Sequence, residues 1–369
     1  MERTKRNYGA FLARMVLVLA LLAMISLTAA PALADDHELT LHDSRDLQLV
    51  RGRVLSCETV SETQKRVEVE LTATHERIWV DHFLSSHPAE IQAEPGDRIL
   101  LYRQPAEDGG YIYYITSYLR ERGLACICLL FAALMLLVGR GQGFKSLIPL
   151  VIVALLVWRV LVPMIMNGMP PMLAAMLVCI LSTAATMLLV GGITRKSAAA
   201  TAGVSGGLAI AGLLAAFSGR ICYLSGFSSD YVSAINYSGD FSVDPKGLLA
   251  AAMLIGALGA VMDVGMGIAS AVSEVKEANP ELGWRELFRA GMNVGRDMMG
   301  TMSNTLILAY VGTSLALILL FCNYGISLTR IFNLDMIATE VVRMLTGSIG
   351  LIVTVPLSAL VSGLLMSRK

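Results

Sequence analysis

The stretch LIGALGAVMDVGMGIASAVSE, Leu254 to Glu274, decides the fold. It contains no proline, and its only charged residues are Asp263 and Glu274. At about 1.5 Å of rise per residue such a helix crosses the ~30 Å hydrocarbon core of a bilayer. Gly256, Gly259, Asp263, Gly267, Ser270 and Glu274 recur at steps of three or four, so a helix gathers them on one face while the other faces stay apolar. A membrane helix with one small, acidic stripe fits this pattern, and a strand does not.

Six further apolar runs accompany it, so that about seven spans are expected at 124–139, 147–166, 171–192, 197–217, 248–272, 298–321 and 347–366. The composition agrees. Of 369 residues, 55% are hydrophobic and 16% charged, with a mean hydropathy of +0.64, whereas soluble domains are about 45–50% apolar and about 25% charged. This excludes an ordinary soluble enzyme. Lys plus Arg equals Asp plus Glu at 29 each, so no basic surplus exists for nucleic acid, and a nucleic-acid partner is excluded as well.

The charges between spans give an orientation. Arg140, Lys145, Arg195, Lys196, Lys276, Arg285, Arg289, Arg296, Arg368 and Lys369 fall on one side, against Arg220, Lys246, Arg330 and Arg343 on the other. The positive-inside rule makes the first side cytoplasmic, with the C-terminus there. At the N-terminus, Arg3, Lys5, Arg6 and Arg14 precede an apolar run from Met15 to Ala30, then Pro31 and the triplet Ala32, Leu33, Ala34. This is the form of a signal peptide cleaved before Asp35; an uncleaved signal anchor from Phe11 to Ala34 is the alternative. Three regions follow: 1–34, signal peptide or signal anchor; 35–122, an exported domain; 123–369, a transmembrane helical domain. The second span, interrupted by Arg159 and Pro163, is expected to kink.

The exported region reads as β. Val50, Gly52 and Val54 open one strand, and Val67, Val69 and Leu71 alternate with polar residues in a second. Ile78 to Val80, the EPGDRILLYR segment from Glu94 and the aromatic run after Gly110 supply three more. Five short strands in about 85 residues suggest a small barrel of the oligonucleotide/oligosaccharide-binding type, or a sandwich. His75, His82 and His87, with Glu76 and Asp81 nearby, lack metal-site spacing and read as surface residues, so no metal is assigned. Tyr111, Tyr113, Tyr114 and Tyr118 read as an interfacial belt before a sugar platform. Cys126, Cys128 and Cys179 lie in spans; Cys222 and Cys322 share the outer side, where an oxidising compartment permits a disulfide.

Ionisable and polar residues within spans are costly, and each is a functional candidate. Asp263, counted from the helix ends, falls near mid-depth and is a candidate proton carrier or cation ligand, with Arg159 as a conceivable charge partner. The following span, GMNVGRDMMGTMSNTLILAYVG from Gly291, crowds Asn293, Arg296, Asp297, Thr301, Asn304 and Thr305 into its inner half. These residues with Asp263 form the candidate transport path, while Gly256, Gly259, Gly267 and Gly300 serve close helix packing. Between the two spans, Asn279-Pro280 breaks the chain and Leu282 to Arg289 reads as a short interfacial amphipathic helix. No phosphate loop, nucleophile elbow or HExxH motif occurs, so no catalytic residue and no cofactor is assigned.

The runs GALGAVMDVGMGIASAVSEV, Asn279-Pro280, ELFRAGMNVGRDMMGTMSNTLILAYVG and GSIGLIVTVPLSAL resemble the signature stretches of the YibE/F-like family of bacterial membrane proteins, from about residue 120 onward. The resemblance implies a multi-spanning protein of a prokaryotic cytoplasmic membrane, without delivering an activity. It carries over Asp263, Asn293, Gly295, Arg296, Asp297, Gly300, Thr301, Asn304 and Thr305. The expected function is a secondary transporter or permease of a small solute or ion, not an enzyme. The alternative is a non-transporting assembly or envelope-sensing component whose residues 35–122 bind an envelope protein.

Overall fold

The computed structural model describes residues 48–61, 63–83, 91–106, 110–228, 230–237 and 242–367. The N-terminal signal or anchor, His87 and the last two basic residues lie outside them. The chain divides into two compact units, one of residues 36–140 and one containing 141–369.

The first unit holds β1 (Gln48–Ser61), β2 (Gln64–Leu71), β3 (Arg77–Phe83), β4 (Arg98–Pro105) and β5 (Tyr111–Tyr118). They form one antiparallel sheet in the order β3-β2-β1-β4-β5. The sheet curls until β3 and β5 approach each other without a shared ladder, giving a half-closed barrel. Alternation sets the inner face: Val54, Val67, Val69, Leu71, Val80, Ile99 and Leu101 are all buried in one cluster. β1 is long enough to pair with β2 and β4 together, and a register shift between Val54 and Ser56 helps it bend. Gly52 sits at that crossing because a side chain would strike Val69 and, at 2.8 Å, Leu101. His82 is buried and its Nε2 lies 2.8 Å from the Ile91 carbonyl, while His75 takes a left-handed turn beside Glu70 at 3.3 Å.

The helices are α1 (Glu121–Leu156), α2 (Val162–Met166), α3 (Pro171–Gly191), α4 (Arg195–Ile221), α5 (Asp230–Tyr237), α6 (Pro245–Ala278), α7 (Trp284–Thr313), α8 (Leu315–Asn323), α9 (Leu328–Phe332) and α10 (Asp335–Ser367). Among the described residues six stretches are long and apolar enough to cross a membrane, and α7 with α8, bent by 56° at their break, makes a seventh if the pair is counted as one span. This is a helical membrane bundle with a small β domain. Three local features depart from the sequence reading. The backbone stays helical through residues 140–146, where a polar connection between two spans is expected. Arg159 lies in a π-helical segment, Val157–Leu161, in which the Val162 amide donates to the Val157 carbonyl. Pro163 explains it: proline has no amide to give the carbonyl four residues back, that of Arg159, and the ladder loosens by one residue. The stretch from Leu282 to Arg289 is not a separate interfacial helix, since from Trp284 it forms the first turns of α7.

Small residues hold the bundle together. Gly203, Gly207 and Ala211 of α4 face Ser358, Thr354 and Gly350 of α10. A Cβ on Gly203 would lie 2.6 Å from the Ser358 Cα, and one on Gly350 would lie 2.6 Å from the Ala211 Cβ. The two backbones are therefore in near contact, the geometry that glycines and serines permit in a bilayer. Gly291 and Gly295 bring α7 onto the same helix, beside Ala359 and Val355. Helix starts follow ordinary rules: Thr194 caps α4 through the Ser197 amide, and Asp244 with Pro245 opens α6.

Replacing Gly207 by Val should drive a side chain into Thr354 and destabilise the protein by about 1–3 kcal/mol, read as a lowered Tm in detergent. Gly219→Ala, with nothing within 4 Å of the added carbon, should leave Tm unchanged or slightly raised. Cys222 and Cys322 are free and exposed and Cys179 is free and buried. A maleimide should label the first two in unreduced protein and reach Cys179 only on unfolding; protection of Cys222 and Cys322 would contradict the structure.

Candidate functional site

α6 and α7 are neighbouring antiparallel helices joined by a short turn, and Lys276 clamps that turn by donating to the carbonyls of Pro280 at 2.6 Å and Leu282 at 3.0 Å. The Glu286 carboxylate accepts from the Gly283 amide at 2.8 Å and starts α7. Two side chains of α7 set the register. The Tyr310 hydroxyl covers Gly256, and the Met298 methyl lies 2.7 Å from where a Cβ of Gly267 would be. Asp263 is thereby level with Met302 and Ser303, roughly one and a half to two turns from Arg296 and Asp297.

α6 has 34 residues, about 51 Å of helix, so it projects beyond any hydrocarbon layer and its ends are poor markers of depth. Its neighbours are better ones: a Cβ on Gly191, the last residue of α3, would lie 3.3 Å from the Met266 methyl, and Gly265 packs on Val204, about two and a half turns into α4. Asp263, two residues further from that end, thus lies about 16 Å along the bundle from the level of Arg195 and Lys196.

The glycine stripe divides in two. Gly256 and Gly267 are closed by α7, whereas a Cβ on Gly259 would meet nothing within 4 Å, and Asp263 beside it is exposed. On α7, Asn293, Arg296, Asp297, Gly300, Thr301, Asn304 and Thr305 are all exposed, and Gly300 also faces open space. The sequence-selected residues are therefore brought to adjacent open faces at matching depth and are not enclosed in the bundle core. Gly300 makes no packing contact, unlike Gly256 and Gly267.

The chemistry of these faces is acceptor-rich. Thr301 and Thr305 donate their hydroxyls back to the carbonyls of Met298 and Thr301, at 3.0 and 2.9 Å, which leaves their lone pairs outward. Among the described residues no hydrogen bond or ion pair engages the carboxyls of Asp263 and Asp297 or the amide of Asn304. Arg159 is exposed and does not pair with Asp263. Oxygen acceptors with a carboxyl at the centre suit a proton or a small cation. The buried Ser303 hydroxyl, level with Asp263, has no partner among the described residues.

Three residues that the sequence does not mark as site candidates border the same helices. Tyr310, Glu340 and Arg343 line a cavity of about 350 Å3 at the bend between α7 and α8, together with Thr313 and Ser314. Glu340 and Arg343 pair at 3.1 Å along α10. Charges four residues or fewer apart at the start of a helix are legible as a pair, but nothing in the sequence places them opposite Tyr310.

No curated protein and no solved structure matches the chain. A family model described as YibE/F-like protein matches residues 127–368. The matched segment runs from the second turn of α1 to the end of α10 and takes in both polar faces. Since it covers more than half of the sequence, the chain belongs to the YibE/F-like protein family.

Proposed function

We propose that this membrane protein is a secondary transporter, with a cation or proton path along the open faces of α6 and α7. One observation carries the reading: Asp263 faces open space next to Gly259, level with the acceptor face that holds Thr301, Asn304 and Thr305. Hydrocarbon cannot solvate such a face at acceptable cost, so it borders water or a passing polar solute. Asp263 is the proton or cation carrier, Thr301, Asn304 and Thr305 line the way to it, and Asn293, Arg296 and Asp297 form its mouth. Family membership favours a prokaryotic cytoplasmic membrane, and the charge distribution between spans favours a cytoplasmic mouth with the β domain on the exported side. The reading is non-enzymatic, because the sequence offers no nucleophile and base in a recognisable arrangement.

A second reading, a partner-binding component, is favoured by the exposed aromatic residues Trp79 and Phe83 on β3 and Tyr111 and Tyr114 on β5, the two strands that approach each other. Deleting residues 35–118 separates the two, since a transporter keeps its flux and a sensor loses its phenotype.

Proteoliposomes containing a pH dye should show flux of protons or of a small cation above protein-free vesicles. Asp263→Asn should reduce it by at least about tenfold, equivalent to about 1.4 kcal/mol in the barrier, with Tm unchanged. Absence of flux over a broad panel of ions and solutes, or an Asp263→Asn variant as active as the parent, would overturn the proposal.

A further inference from the structure

The β domain carries a cavity of about 270 Å3 whose wall includes four arginines, Arg51, Arg53, Arg98 and Arg122, and two carboxylates, Glu70 and Glu121. The strand pattern puts them there. Gly52 and Val54 point into the buried core, so Arg51 and Arg53 share the opposite face of β1. Arg98 is the direct cross-strand partner of Arg53 in the antiparallel β1–β4 ladder. Like charges opposite each other in such a ladder are destabilising, and this pair is repeated nowhere else between β1 and β4.

The two carboxylates relieve it only in part: Glu70 faces Arg53 across the β1–β2 ladder, on the side away from Arg98. Glu121 accepts from Arg51 at 2.9 Å, and Glu70 lies 3.3 Å from His75. Arg53, Arg98 and Arg122 have no ion-pair partner among the described residues. The wall thus carries four guanidiniums against two carboxylates, one of them paired with Arg51, and guanidinium forks match phosphate oxygens.

The position of the cavity says which phosphate. Glu121 and Arg122 form the first turn of α1, and Glu121–Gly139 is an apolar span with none of its residues buried, carrying exposed Leu124, Ile127, Leu130 and Phe131. Such a stretch is sheathed in acyl chains, so its first turn lies at headgroup depth, where basic pockets hold anionic lipids. We infer that the Arg51–Arg53–Arg98–Arg122 cavity is a binding site for the phosphate of an anionic phospholipid headgroup at the membrane surface where α1 begins. The lipid phosphate bridges Arg53 and Arg98 and removes the repulsion across the ladder. This inference goes beyond the transport reading and stands without it.

The test uses the full chain, purified in an uncharged detergent and titrated separately with phosphatidylglycerol, an uncharged glucosyl diacylglycerol and inorganic phosphate, with bound lipid counted by native mass spectrometry and Tm followed in parallel. Phosphatidylglycerol should be retained and should raise Tm, and the glycolipid should do neither. Arg53→Gln and Arg98→Gln should each weaken retention by about tenfold, the loss of one charge-assisted hydrogen bond. Glu70→Gln, which removes a carboxylate from the wall, should strengthen it, a direction that a folding defect cannot produce. Equal retention of the glycolipid, or arginine variants that hold phosphatidylglycerol as the parent does, would overturn the inference. A Tm rise with inorganic phosphate that matches the lipid's and vanishes in Arg98→Gln would overturn the lipid as the source and assign the cavity to free phosphate.

Discussion

The near contact of the α4 and α10 backbones is the constraint on which the bundle depends. In water, helices are driven together by burying apolar surface, but lipid tails are as apolar as leucine and that drive is absent within a bilayer. Association then rests on close packing, and close packing requires small residues at every crossing. Gly203, Gly207 and Ala211 against Ser358, Thr354 and Gly350 supply them. α10 is also the helix on which α7 lies, through Gly291 and Gly295, and against which α6 packs, through Gly265 beside Ser358. The positions of both polar helices are thus inherited from one seam of glycines and serines.

That seam decides which faces of α6 and α7 are spent on packing and which stay open. On α6, Val261, Val264, Gly265, Ile268 and Val272 are buried, and the stripe through Gly259 and Asp263 is what remains. On α7, Leu287, Gly291 and Gly295 face inward and Asn293, Asp297, Thr301 and Asn304 do not. Both polar faces are therefore set by subtraction: the small residues that permit contact are consumed, and the acceptors are displayed at the rim of the bundle.

Much of this was legible in the sequence, for identifiable reasons. Period-two alternation in Val67, Val69 and Leu71 fixes which side of β2 is inside, and unbroken apolar length marks the spans. The gathering of Asp263 with the glycines, and of Asp297 with Thr301 and Asn304, needs only the helical period. What was not legible depends on contacts between distant segments. The level of Asp263 is set by Tyr310 and Met298, which nothing near residue 263 announces. The bend after Thr313 has no proline to signal it, whereas Pro163 signals a disturbance but not that it takes the form of a π turn at Arg159. The seam between α4 and α10 was readable in principle from small residues at four-residue spacing in both helices. The interfacial helix at Leu282 merged into α7 because Gly291 and Gly295, which in water would weaken a helix, are here held by the packing they allow.

The clamp at Lys276 has a mechanical consequence. Its ammonium ties the turn between α6 and α7 to two carbonyls, so the two helices share a fixed end and relative motion is smallest there. At the far end, the Tyr310 hydroxyl rests on Gly256 just before the 56° bend into α8. For a pair of rods pinned at one end and jointed at the other, displacement grows with distance from Lys276, so that in any opening the level of Asp297 travels about half as far as the level of Tyr310.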